Sequence, residues 1–102
     1  MPPPPDPTVP SADPLDRRLR AAPRVVAREI EAETVLLDLA SGRYYDLDDT
    51  GSRLWHRLTE GARLGDVVDE LASEFDAPRE RLAADVVAFV AELEREQLVV
   101  DD

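Results

Sequence analysis

Residues 34–58, TVLLDLASGRYYDLDDTGSRLWHRL, read as two short strands, a tight turn and the capped start of a helix. Residues 34–39 combine β-branched and leucine side chains and stop at a turn signal, as a strand does. Ala40, Ser41 and Gly42 supply the turn, with glycine free to take a positive φ and close a hairpin. Residues 43–47, RYYDL, return as a second strand. Its alternation puts Arg43, Tyr45 and Leu47 on one face and Tyr44 and Asp46 on the other. Asp48, Asp49 and Thr50 are N-capping residue types, so a helix starts there. Leu54, Trp55 and Leu58 form its apolar stripe, and Gly61 is placed to end it in a left-handed cap.

On the N-terminal side, residues 24–30, RVVAREI, form a further short β-branched run. If that run pairs with 34–39, the 43–47 strand lies at the sheet edge with its backbone donors and acceptors open, a place where a peptide can add as another strand. Val35, Leu37 and Leu39, together with Tyr45 and Leu47, are expected on the face that helices cover. On the C-terminal side, Leu64, Val67, Val68, Leu71, Ala72 and Phe75 repeat with the helical period, predicting a helix over about 64–75. Asp76, Ala77 and Pro78 break it and start a longer one over 78–96. There Leu82, Val86, Phe89 and Leu93 make the main stripe, and Ala83, Val87 and Val90 widen the apolar arc to roughly 160°. That is more than a helix at the edge of a small domain has to bury. Leu98, Val99 and Val100 close the chain as a short strand or extended cap. Three strands followed by three helices is an α+β arrangement.

The first 23 residues hold eight of the nine prolines and few apolar side chains. Such a segment cannot repay its ordering entropy and is expected to be a disordered or polyproline-like tail, leaving 24–102 as the single domain. It lacks the basic start and apolar run of a secretion signal. The net charge is −11. Through Arg24, four arginines face three aspartates and leave +1, so the remainder carries −12. That field repels nucleic acid and anionic membranes and favours basic partners. There is no cysteine and only one histidine, His56, so no thiolate or paired-histidine metal site exists, and His56 reads as a partly exposed structural residue. Asp46, Asp48 and Asp49 lack the glycine and closing glutamate of a calcium loop. No nucleophile motif, phosphate loop or HExxH occurs. The expectation is a cytoplasmic binding module with no catalytic residue, no metal and no cofactor.

The segments GRYYDLDDTGSRLWHRLTEG (42–61) and LGDVVDELASEFDAPRERLAADVVAFVAELEREQLV (64–99) together resemble the PqqD-like peptide chaperones, also called RiPP recognition elements. The resemblance rests on Tyr45, Leu47 and Asp48 at the strand end, on Gly51, Leu54 and Trp55 at the helix start, and on Asp85, Val86, Phe89, Val90 and Leu93 in the third helix. It implies a small winged-helix-like domain, a three-stranded antiparallel sheet followed by three helices. The partners it implies are the leader segment of a ribosomally made precursor peptide, and a modifying enzyme or leader peptidase to which the leader is presented. Carried over, the leader would add to Arg43, Tyr44, Tyr45, Asp46 and Leu47. The apolar wall would come from Ala83, Val87 and Val90, or from the opposite flank with Phe89, and Asp85 would receive a basic leader residue. The chain is more similar to the broad family than to its strict pyrroloquinoline-quinone branch. A lasso-peptide leader peptidase is the first system it suggests, a radical-SAM peptide-modifying enzyme the second. The proline-rich stretch has no counterpart in the family pattern. The rival reading is a small acidic helix-turn-helix-like adaptor that binds another folded protein.

Overall fold

The computed structural model describes residues 14–102. Its main sheet holds β2 (Val25–Ile30), β3 (Glu33–Asp38) and β4 (Tyr44–Leu47), antiparallel in the order β2-β3-β4. Helices α1 (Asp49–Thr59), α2 (Leu64–Glu74) and α3 (Arg79–Arg95) follow. The α+β architecture read from the sequence is the one observed, and β4 is an edge of its sheet.

The buried face of β3 is the opposite of the expected one. Thr34, Leu36 and Asp38 point inward, Val35 and Leu37 lie half-buried on the outer face, and Leu39 is exposed. The hairpin turn sets this register. Asp38 accepts from the amides of Ala40 at 2.9 Å and Ser41 at 3.4 Å, its own carbonyl accepts from Gly42 N, and Gly42 has φ +76°. Pairing then places Tyr45 opposite Leu36 and Leu47 opposite Thr34, so those two side chains do face the core. The polar residues turned inward are satisfied. Arg24 Nε donates to Asp38 at 3.1 Å, Thr34 N donates to Ser52 Oγ at 2.8 Å, and Thr34 Oγ1 lies 3.3 Å from His56 Nε2.

Burial alone would raise the Asp38 carboxyl; the Ala40 amide, Arg24 and the Ser41 amide outweigh it and hold the group below its ordinary range. A carboxyl lowered on folding stabilises the fold above its unfolded value and loses that contribution as pH falls through the folded one. Amide protection at Ala40 and Gly42 should therefore decline as the pH drops below about 4. Hydrogen exchange across that range checks this, and Asp38→Asn should remove the pH step.

The boundary expected at residue 23 falls elsewhere. Residues 1–13 lie outside the described residues, but Pro14–Asp16 form a 3-10 turn and Leu19–Ala21 form β1, which pairs antiparallel with β5 (Val99–Asp101). Leu19 is fully buried and Ala22 nearly so. This small ribbon lies against α1, while α3 leans on α2, β5 and the 3-10 turn. The core gathers Leu19, Leu36, Leu54, Trp55, Leu58, Leu64, Val67, Val68, Val86, Val90, Leu93 and Leu98. Among the described residues no helix is long and apolar enough to cross a membrane.

Candidate functional site

The free edge of β4 faces the Phe89 flank of α3 across a groove. Asp38 N donates to Arg43 O at 2.9 Å, which makes that pair a hydrogen-bonded one. Antiparallel ladders alternate. Tyr45 and Leu47 therefore also turn their backbone groups toward β3, while Tyr44 and Asp46 turn theirs to the open edge. At the end of the ladder Ser52 Oγ accepts from Thr34 N and donates to Leu47 O at 3.2 Å, tying the strand to α1. The edge thus offers two N–H and two C=O groups on a strand whose other side is fully anchored.

Two cavities of about 330 and 350 Å³ run end to end along this edge. Leu47 and Phe89 line both. Leu93 and Leu98 deepen the first, and Leu54 deepens the second. The first is closed at its outer end by Tyr45, whose hydroxyl donates to Glu96 Oε2 at 2.9 Å, with Arg43 3.8 Å from the same oxygen. That carboxylate raises the Tyr45 phenol above its usual value. The helix cap gives the floor its shape: Asp48 Oδ1 accepts from Gly51 N at 2.7 Å, and a Cβ at Gly51 would meet Phe89 Cε2 at 3.6 Å. That is ordinary contact; the tight neighbour of such a Cβ is the capping oxygen itself, Asp48 Oδ1 at 3.1 Å. Asp46, Asp48, Asp85 and Glu92 make the second cavity's rim acidic. A strand added here would send alternate side chains inward, one beside Tyr45 and the next beside Leu47.

The sequence profile of the family described as Coenzyme PQQ synthesis protein D (PqqD) matches residues 33–99, from β3 through the first residue of β5. The chain belongs to the PqqD family. A 38-residue segment is 50% identical to the PqqA binding protein of Gluconobacter oxydans (strain 621H), covering 36% of this chain and 40% of that relative, so the match spans less than half the relative's length. Two solved structures share the PqqD-like fold. TbiB1 in complex with the TbiA(beta) leader peptide is 35% identical, with a TM-score of 0.74 over 78% of this chain and 93% of that one. Lasso peptide synthetase B1 complexed with the leader peptide is 30% identical, with a TM-score of 0.77 over 81% and 98%.

Within this PqqD-family groove the expected residues divide. Tyr45, Asp46, Leu47 and Asp85 line it, Arg43 stands at its Glu96 end, and Tyr44 is exposed on the outer sheet face. Ala83, Val87 and Val90 do not line it. They lie about 100–160° round the helix from Phe89, at about 100° per residue; Val90 is in the core and Ala83 packs against it. Of the two flanks left open by the sequence, the structure turns the Phe89 flank to β4. Glu92, Glu96 and Leu98 were not singled out in the sequence. For the two glutamates the signal was the spacing of Asp85, Phe89, Glu92 and Glu96, which repeats every three to four residues on that flank; Leu98 lies past the helix and shares none of it. His56 is half-buried at the other end of the sheet, 2.7 Å from Glu29 Oε1. Among the described residues no group of three histidine, cysteine or acidic side chains is placed to hold a metal ion.

Proposed function

We propose that this chain binds the leader segment of a ribosomally synthesised precursor peptide without catalysing any step. The leader adds as a strand to β4 and sends alternate side chains against Phe89. The observation that carries the reading is the open edge at Tyr44 and Asp46 beside an apolar groove. Two structural neighbours at 30% and 35% identity that are complexed with leader peptides support it, as does the relative named for binding PqqA. The acidic rim at Asp85 and Glu92 selects a leader with a basic residue near its apolar pair. The bound leader is then presented to a modifying enzyme or leader peptidase of the same pathway, with a lasso-peptide system first and a radical-SAM enzyme second. Leaders are made on ribosomes, so this step belongs in the cytoplasm.

The test is a titration with the labelled leader of a precursor peptide encoded beside this chain, followed by backbone amide shifts. Shifts concentrated on Tyr44–Leu47 and on the Phe89 flank are expected. Absence of binding, or shifts centred on α2, would overturn the reading. The adaptor reading keeps one specific observation in its favour. Val26, Leu37 and Tyr44 form a row across the outer sheet face, with Tyr44 69% exposed, and a folded partner could cover it.

A further inference from the structure

The main sheet has a second face, turned away from the side where Leu36 is buried against the helices. Val26, Leu37 and Tyr44 stand in one row across its three strands, and Val35 follows Leu37 along β3. Leu39, one residue past β3 and still bonded through its amide to Arg24 O at 2.9 Å, continues the alternation. Ile30 ends the face at the β2 hairpin. Among the described residues, Val26, Val35 and Leu37 neither belong to the core cluster nor pack against it. Ile30, Leu39 and Tyr44 are 60%, 62% and 69% exposed, so three of the five large apolar side chains exposed among the described residues lie on this one face. Contiguous apolar surface of this kind marks an interaction site.

We propose that this outer face is where the enzyme acting on the leader-bearing peptide docks, and that the face is complete only once the leader is in place. The proposal rests on the leader-binding reading and adds to it the surface that meets the enzyme. Continuity with the peptide edge carries it. Tyr44 belongs to both, since its backbone turns to the open edge of β4 and its side chain stands on the outer face. A strand added to β4 puts every second side chain on that face, the nearest of them beside Tyr44. At about 4.8 Å per strand the row grows from about 10 Å to about 14 Å, and a protein seated on it touches the chain and the leader together. A second copy fits the face less well. Each copy carries a net charge of −11, and stacking two such sheets brings like charges together. The same charge favours an enzyme whose matching patch is bordered by basic residues. Because leader and enzyme share the row, each raises the affinity of the other by the same factor.

The test titrates the modifying enzyme or leader peptidase encoded beside this chain into the full chain, alone and saturated with the leader. Burial of one outward leader side chain should make the enzyme bind the loaded chain about tenfold more tightly. Leu39→Lys and Ile30→Lys change exposed positions away from β4. Each should weaken the enzyme about tenfold and leave leader binding unchanged. An enzyme that binds neither form, binds both equally or ignores both substitutions overturns the docking face and leaves leader binding intact. Self-association in sedimentation that Leu39→Lys abolishes also overturns it, because a second copy then occupies the face. A leader that does not bind the unaltered chain overturns the leader-binding reading, and the docking face with it.

Discussion

A chain cut to begin at Arg24 is expected to lose its cooperative fold, whereas one that begins at Pro14 keeps it. Leu19 is fully buried and belongs to the same cluster as Trp55 and Leu98. Truncating a leucine so placed to alanine costs about 2–5 kcal/mol, and a domain of this size has only about 5–15 kcal/mol in total. The cut removes more than that side chain. β5 loses its partner strand, and Leu98 O loses the amide of Ala22 at 2.9 Å. Arg63, the N-cap of α2, provides no side-chain cap; the amide of Leu64 is satisfied instead by Arg17 O at 3.0 Å. Arg17 also bridges Glu94 and Asp101, joining the end of α3 to β5. Urea unfolding of the two truncated chains measures the difference. Equal midpoints would mean that β1 adds nothing to the core.

That prediction also marks where the sequence could not be read. A window dominated by proline hides one leucine whose partner strand lies some eighty residues away, and local composition carries no signal of so distant a pairing. The hairpin, the Asp48 cap and the three helices were legible because each depends on residues close in sequence. The inward face of β3 was not. Residues 35–37 are apolar on both faces, and the outcome was decided by Thr34 and Asp38, whose burial is tolerated only because Ser52, His56 and Arg24 satisfy them. For the site, the edge strand followed from strand order, while the flank of α3 did not. Apolar residues cover more of that helix than its core contacts use, and only its docking on α2 and β5 decides that Phe89 faces β4.

Asp46→Pro should abolish peptide binding while leaving the fold in place, and Tyr45→Pro should do the reverse kind of damage by unfolding the hairpin. Proline is tolerated on an edge strand where the missing N–H pointed to solvent, and it is destructive where that N–H served the ladder. The alternation set by Asp38 N and Arg43 O puts Tyr45 N–H in the ladder with Leu36 and Asp46 N–H on the open edge. Asp46→Pro also asks nothing new of its neighbour, since the residue before a proline prefers the extended conformation that Tyr45 already has. What it removes is one of the two donors that a new strand must find. The ring also stands where the incoming backbone would lie, leaving a peptide carbonyl buried without a partner at a cost of about 1–3 kcal/mol. Together with the lost bond, this should weaken binding by about a hundredfold or more. Asp46→Ala separates the backbone effect from the charge: it keeps the amide and should bind within about tenfold of the unaltered chain, because an exposed charge contributes little. Circular dichroism reports the fold and fluorescence anisotropy the binding. If Asp46→Pro binds the leader as well as Asp46→Ala does, the peptide does not use the β4 edge, and the groove must be filled by side-chain contacts alone.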